Sequence, residues 1–299
     1  MYLAHFGLRE FPFANTPDTS FFFAHASHQE ALNTLLLCAH SGEGFIKVVG
    51  EVGTGKTLLC RKFLASLKGR FVTAYIPNPY IQPMTLLLAV ADELGIGYDP
   101  RVNQHQILKQ LTRGLVEAYA ARRRVVLCLD EAQAMPVETL EALRLLTNLE
   151  TERRKLLQVV LFGQPELDRR LAEPAIRQLR QRIAFACTLR PLGLQDVEAY
   201  LRHRLGVAGW CRGPLFSGPA VRLLARASAG VPRLVNILAH KSLMAAFGQG
   251  AGSVERRHVL AAARDTESVG RRRRLGGWLG FAGGGVLSAW LAALLLGWH

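Results

Sequence analysis

Gly50-Glu51-Val52-Gly53-Thr54-Gly55-Lys56-Thr57 follows the apolar run Phe45-Ile46-Lys47-Val48-Val49 and leads into Leu58-Leu59-Cys60, so a GxxxxGK[ST] loop stands between an expected strand and an expected helix. That placement gives the stretch its chemical meaning. Glycines let successive backbone N–H groups turn inward around phosphate, and the helix that follows presents its positive N-terminal end to the same anion. Lys56 is then the group that reaches the β- and γ-phosphates, and the Thr57 hydroxyl is a ligand for Mg²⁺. The stretch from Gly50 through Leu58 is the expected cradle for ATP with Mg²⁺.

A second motif sharpens this. Val125-Val126-Leu127-Cys128-Leu129 is an apolar run ending in Asp130-Glu131. Two acids at the carboxyl end of a buried strand sit where a parallel sheet presents its ligand-binding edge. Asp130 is expected to hold the Mg²⁺, and Glu131, one residue further on, to act as the base that polarises the attacking water. The next apolar run, 156–162, ends at Gly163-Gln164-Pro165-Glu166, which makes Gln164 the candidate amide for orienting water near the γ-phosphate. Arg177, Arg180 and Arg182 follow, and an arginine here can serve a neighbouring subunit's γ-phosphate. Arg182 is the first choice and Arg177 the second; otherwise each is a helix-surface cation.

Working outward, apolar runs at 45–49, 72–76, 125–129, 156–162 and 184–189 predict five strands. Helical spacing over 57–67, 84–94 and 106–121 separates them. The alternation implies a parallel five-stranded sheet with helices on both faces, an α/β domain covering residues 1–190. Beyond Pro191 the pattern is helical only, at 195–205, 219–229, 232–247 and 254–263, so 191–266 is expected to form a small all-α lid. Within it Gly230-Val231-Pro232-Arg233 opens a helix, with proline early as helix starts favour. Arg233 in that first turn opposes the helix dipole, which a phosphate partner would relieve.

Residues 275–298 carry no charge and, at about 1.5 Å per residue, are long enough to cross a hydrocarbon core about 30 Å thick. Arg271-Arg272-Arg273-Arg274 precede them and would stay on the cytoplasmic side. A basic linker, 267–274, and a transmembrane helix, 275–298, are therefore expected, with the body cytoplasmic at a single-pass anchor. The chain has 37 Lys and Arg against 23 Asp and Glu, a net charge of +14, which keeps nucleic acid and anionic lipid in view as partners. Its five cysteines are scattered with no CxxC pair, so neither a disulfide framework nor a zinc knuckle is indicated. The 49% hydrophobic composition excludes a disordered chain.

Phe6-Gly7-Leu8-Arg9-Glu10-Phe11-Pro12-Phe13, Thr16-Pro17-Asp18, the aromatic Phe21-Phe22-Phe23, His28 and Ala31-Leu32 resemble the N-terminal signature of the ExeA/GspA family of secretion ATPases. The P-loop, Leu129-Asp130-Glu131-Ala132-Gln133, Phe162-Gly163-Gln164-Pro165-Glu166-Leu167 and Gly230-Val231-Pro232-Arg233-Leu234-Val235-Asn236 extend the resemblance over roughly 1–265. In layout the chain is most similar to the branch associated with mannose-sensitive haemagglutinin (MSHA) pilus biogenesis. The resemblance implies an AAA+ core, an ATP-dependent ring-type homo-oligomer, and a role at the bacterial inner membrane in assembling a type IV pilus or type II secretion apparatus, alongside inner-membrane assembly proteins. It also implies that His28 and the aromatic segment before it lie near the adenine. Family members with a periplasmic peptidoglycan-binding domain carry it after the membrane helix, whereas this sequence stops at His299. Two other readings share the motifs: a DNA-binding ATPase of the transposition-helper type, using Arg122–Arg124 and Arg153–Lys155 on phosphate, and a scaffold whose oligomeric state is set by ATP with slow turnover. A spanning anchor argues against the DNA reading.

Overall fold

The computed structural model describes residues 2–147 and 155–266. The expected linker and transmembrane helix, 267–298, lie outside the described residues. Among the described residues no helix is long and apolar enough to cross a membrane.

The chain divides into two compact units, Thr16–Pro191 and a second one built from Met1–Asn15 with the residues from Leu192 onward. It starts in the second unit with a short helix, α1 (Tyr2–Phe6). The Thr16–Pro191 unit then alternates α2 (Ala26–Ser41), β1 (Phe45–Gly50), α3 (Lys56–Ser66), β2 (Phe71–Ile76), α4 (Pro83–Glu93), α5 (Gln104–Ala120), β3 (Arg124–Leu129), α6 (Val137–Leu146), β4 (Leu157–Gly163), α7 (Glu166–Leu171), α8 (Arg177–Arg180) and β5 (Phe185–Leu189). All five strands are parallel, in the order β2-β3-β4-β1-β5. Parallel pairing needs a crossover between neighbours, and the intervening helices supply it on both faces.

Side chains alternate across the sheet as the pleat requires. Val125, Leu127 and Leu129 of β3 and Leu157, Val159 and Leu161 of β4 enter the core beneath α4, α5 and α6. Val126, Cys128, Val160 and Phe162 face the other way, against Leu35 and Cys38 of α2 and Leu59 and Phe63 of α3. Burying side chains of this size contributes roughly 1.5–3 kcal/mol each. One polar side chain breaks the second layer: Gln158 Nε2 donates to the carbonyls of Cys38 at 3.2 Å and Ala39 at 3.3 Å, tying β4 to the last turn of α2.

The last turn of α5 carries an unusual backbone. Arg122 adopts φ +56°, with its N–H on the Tyr119 carbonyl and that of Arg123 on the Ala118 carbonyl. This left-handed position normally belongs to glycine and costs another residue about 1 kcal/mol. Gly42 after α2 occupies it at φ +92°.

The second unit contains α9 (Leu194–Val207), α10 (Gly218–Ser228), α11 (Pro232–Gly248) and α12 (Arg256–Arg264). Residues 2–15 pack with these helices, which corrects the expectation that 1–190 form one α/β domain. The cause is a buried arginine. Arg204, 4% exposed, donates from Nε to the Pro12 carbonyl at 2.5 Å, from Nη2 to that of Ala14 at 3.2 Å and from Nη1 to the Tyr200 hydroxyl at 2.9 Å. Carbonyls of the N-terminal segment satisfy a guanidinium that burial would otherwise leave unpaired. Tyr2 also reaches His240 Nδ1 at 2.9 Å, and Phe13 meets the Phe216 ring edge-on.

Gly230 fixes the entry to α11. It sits at φ +71°, and a methyl added there would lie 2.0 Å from the Leu192 carbonyl oxygen. Its own carbonyl accepts from the Leu192 N–H at 2.8 Å, so the two segments cannot separate freely. Replacing Gly230 with Ala is expected to destabilise this unit by about 2 kcal/mol or more, through a strained φ and backbone overlap together. Urea denaturation monitored by the fluorescence of Trp210, which lies in the same unit, checks this; an unchanged midpoint would exclude it.

Candidate functional site

β1 ends at Gly50 and α3 begins at Lys56, so the loop between them turns at the carboxyl edge of the sheet beside the end of β3. Three glycines make the turn possible for separate reasons. Gly53 and Gly55 hold φ +82° and +97°, where side chains are strained. At Gly50 a Cβ would fall 2.7 Å from Thr54 Oγ1 and 3.0 Å from Leu189 Cβ. Thr54 is buried and its hydroxyl closes the turn on the Glu51 carbonyl at 2.8 Å, while Glu51 and Val52 stand exposed at the apex. Leu58 is half-buried in the first turn of α3.

Lys56 is 5% exposed, and its ammonium donates to the carbonyls of Gly50 at 2.8 Å and Glu51 at 3.1 Å. Burial lowers its pKa, while the nearby carboxylates of Glu131 and Asp130 act to raise it. Beside it the Thr57 hydroxyl donates to Asp130 Oδ2 at 2.5 Å. Asp130 is buried too, and burial raises its pKa against the opposing bonds from Thr57 and from the Glu131 N–H on Oδ1 at 2.9 Å. Tyr75 on β2 approaches the same Oδ2 at 3.5 Å.

Glu131 follows in a left-handed conformation, φ 52° and ψ 36°, which is costly for a residue with a β-carbon. The turn aims its carboxylate at two amides: Oε2 accepts from Gln133 Nε2 at 2.6 Å and from Gln164 Nε2 at 3.0 Å. Gln133 Oε1 in turn accepts the Gln164 N–H at 3.0 Å. The ends of β3 and β4 are thus locked together around one carboxylate oxygen. Gly163 belongs to this arrangement, since a Cβ there would press on Leu167 at 2.7 Å and on Gln133 Oε1 at 3.3 Å.

His28 reaches the loop from α2. Its Nε2 lies 2.8 Å from the Thr54 carbonyl and so carries the hydrogen, and the ring touches the position of Gly55. The side chain is 6% exposed, burial lowers its pKa, and Nδ1 has no hydrogen-bond partner among the described residues. Phe22 packs edge-on to it, 6.4 Å between ring centres.

The loop, Thr57, Asp130, Glu131, Gln164 and His28 therefore come together in one unit. The arginines divide. Arg182 is half-buried and donates to Thr147 Oγ1 at 3.0 Å, whereas Arg177 and Arg180 are exposed. Arg233 is exposed in the first turn of α11, in the other unit. Gln133 and Tyr75 are additions to the expected site. Gln133 stands two residues past Glu131, a signal that is visible in sequence but has no meaning until β3 and β4 are known to be neighbours.

The donor set fits a phosphate-bound Mg²⁺. One hydroxyl and one carboxylate, both hard oxygens, face each other, and among the described residues no cluster of three or more His, Cys, Asp or Glu forms an all-protein metal site. Magnesium is commonly held in this way, by one or two protein oxygens with the rest of its shell from phosphate and water. The glycine turn and the buried ammonium supply the matching anion cradle.

Residues 39–171 match the family model described as AAA domain. Over 300 aligned residues the chain is 41% identical to General secretion pathway protein A of Aeromonas hydrophila, an alignment that covers 100% of this chain and 53% of that protein. It thus spans about half the length of that relative. Among solved structures it is similar to the Aeropyrum pernix ORC2 protein in its ADPNP–ADP complexes, with TM-score 0.59, 18% identity, and 82% of this chain and 71% of that one covered. The A. pernix ORC1 protein in complex with DNA gives 0.62, 20%, 86% and 69%, and the Thermotoga maritima RuvB Holliday junction branch migration motor gives 0.51, 15%, 79% and 68%. At these identities the structures speak for the fold alone. The chain has the α/β P-loop fold of the AAA type and is similar, along its whole length, to about half of General secretion pathway protein A.

Proposed function

We propose that this chain is a membrane-anchored AAA+ ATPase whose ATP binding and hydrolysis drive assembly of a cell-envelope machine, a secretion system or type IV pilus, as an ATP-dependent ring-type homo-oligomer at the bacterial inner membrane. The observation that carries the ATPase reading is the Glu131 carboxylate, held in a strained turn and fixed by two amides beside the Thr57–Asp130 pair. Strain maintained against a buried hydrogen-bond network marks a group whose direction matters. The likeness to a general secretion protein supports the cellular role over the transposition-helper alternative. The uncharged stretch 275–298, preceded by four arginines, supports the anchor.

In this reading the backbone N–H groups of 53–57 bind the phosphates, and Lys56 exchanges its two carbonyl partners for phosphate oxygens. Thr57 and Asp130 hold Mg²⁺, which when bound neutralises charge on the phosphates. Glu131 accepts a proton from water, and Gln164 keeps both the carboxylate and that water in line. His28 holds the Thr54 carbonyl outward, so that the N–H groups of the loop point in, and its ring closes one side of the base pocket. Arg177, exposed and unencumbered by the Thr147 bond that holds Arg182, is the arginine better presented to a neighbouring subunit. Arg233 would report phosphate to a helical lid.

Lys56→Ala is expected to weaken ATP binding by about 30-fold or more, since a buried charged donor is lost. Glu131→Gln should keep binding and lower kcat by about 10²–10⁴. Calorimetry with ATP and steady-state phosphate release check both. Turnover at the parent rate after the Glu131→Gln substitution would remove Glu131 as the base. His28→Ala should raise the Kd for ATP by about tenfold, the loss of one buried hydrogen bond, and His28→Gln, which retains a donor, should recover most of it; equal affinities for the two variants would refute the clamp.

A further inference from the structure

The amino ends of the strands, at the edge of the sheet opposite the P-loop, border a cavity of about 1610 Å³ within the Thr16–Pro191 unit. Its walls carry Lys68, Arg70, Arg122, Arg123, Arg124 and Lys155, and among the described residues no Asp or Glu lines it. Part of this charge has an internal purpose. α2, α3 and α5 all end here, and the partial negative charge of their last carbonyls favours cations. Arg124 serves this role, with Nη1 on the Ala39 carbonyl at 2.8 Å and on that of His40. The stem of Lys155 covers Gly44.

Lys68, Arg70, Arg122 and Arg123 are exposed, and the backbone at Arg122 argues for more than helix capping. The neighbouring end of α2 uses glycine in the left-handed position, at Gly42, whereas the end of α5 uses Arg122 at φ +56°. An arginine held against backbone strain where glycine would serve, beside other cations with no acid among the described lining residues, points to an external anion. Tyr119 and Val116, 41% and 45% exposed, lie one turn apart near the end of α5. Aromatic and apolar side chains beside cations suit the headgroup level of a bilayer.

We propose that this cavity binds the phosphate groups of anionic phospholipids and so orients the α/β unit on the membrane surface. The proposal rests on the anchored reading above, which keeps the body within reach of the bilayer. Each cation near an anionic surface adds roughly fivefold to affinity, so four exposed cations suffice for a salt-sensitive contact once a tether removes the cost of encounter.

The test uses the full chain reconstituted in phosphatidylcholine vesicles, with or without phosphatidylglycerol, and reads backbone hydrogen exchange in 68–71 and 119–124. Co-flotation with phosphatidylcholine vesicles reports the anchor separately, so failure of the anchor and failure of this site look different. Several-fold slower exchange in both loops is expected only with phosphatidylglycerol, and it should vanish at about 0.5 M salt. Arg122→Gly should reduce that protection about fivefold while leaving the thermal midpoint unchanged or raised, the opposite of what a purely structural arginine would do. Equal protection without phosphatidylglycerol, or full protection retained by Arg122→Gly, overturns the proposal. Protection of these loops by duplex DNA in phosphatidylcholine vesicles, where phosphatidylglycerol gives none, assigns the cavity to nucleic acid and overturns it as well.

Discussion

An ammonium group must stay charged and aimed inside a protein before any phosphate arrives, and much of the α/β unit is arranged around that requirement. Lys56 is buried, and burial alone would drive it toward the neutral amine. The carboxylates of Asp130 and Glu131 offset part of that penalty, and two loop carbonyls accept from the ammonium. The carbonyls are available only because glycines let the loop turn back over its own lysine, and the carboxylates are near only because β1 and β3 both pair with β4. Local backbone freedom and sheet order thus meet at one nitrogen.

The same economy explains the wiring at the carboxyl edge. A free carboxylate at a strand tip would sample several rotamers, whereas this one is held in a single direction. Two amides from different loops share one oxygen of Glu131, and a backbone N–H locks the amides to each other. The cost falls on the backbone at Glu131 and on the space reserved at Gly163. On the far side of the P-loop, His28 does for a carbonyl what the amides do for the carboxylate.

The five strands were legible because each is a short apolar run closed by a turn residue, and their bounds in the structure differ from expectation by a residue or so. The P-loop and the acid pair were legible because their chemistry is written in adjacent residues. α2 and α6 were not assigned. α2 starts at His25 without a side-chain cap and spreads its apolar residues around much of its circumference, and α6 follows Pro136 with no capping hydrogen bond. The partnership of Gln133 with Gln164 is set by strand adjacency rather than by spacing. Residues 2–15 were placed with the wrong unit because sequence neighbours are usually neighbours in space, and nothing in Pro12 or Ala14 announces that their carbonyls serve Arg204.

That last feature bears on how the molecule is made. The helical unit is assembled from the first and the later parts of the polypeptide, with the whole α/β unit inserted between them. On a ribosome the opening segment emerges first but finds its arginine only after nearly two hundred further residues have followed, by which time the sheet can already have closed. Until then Tyr2 and Phe13, both buried in the finished protein, lack their later partners His240 and Phe216. For residues 2–15, synthesis thus precedes that of the helices that complete their burial.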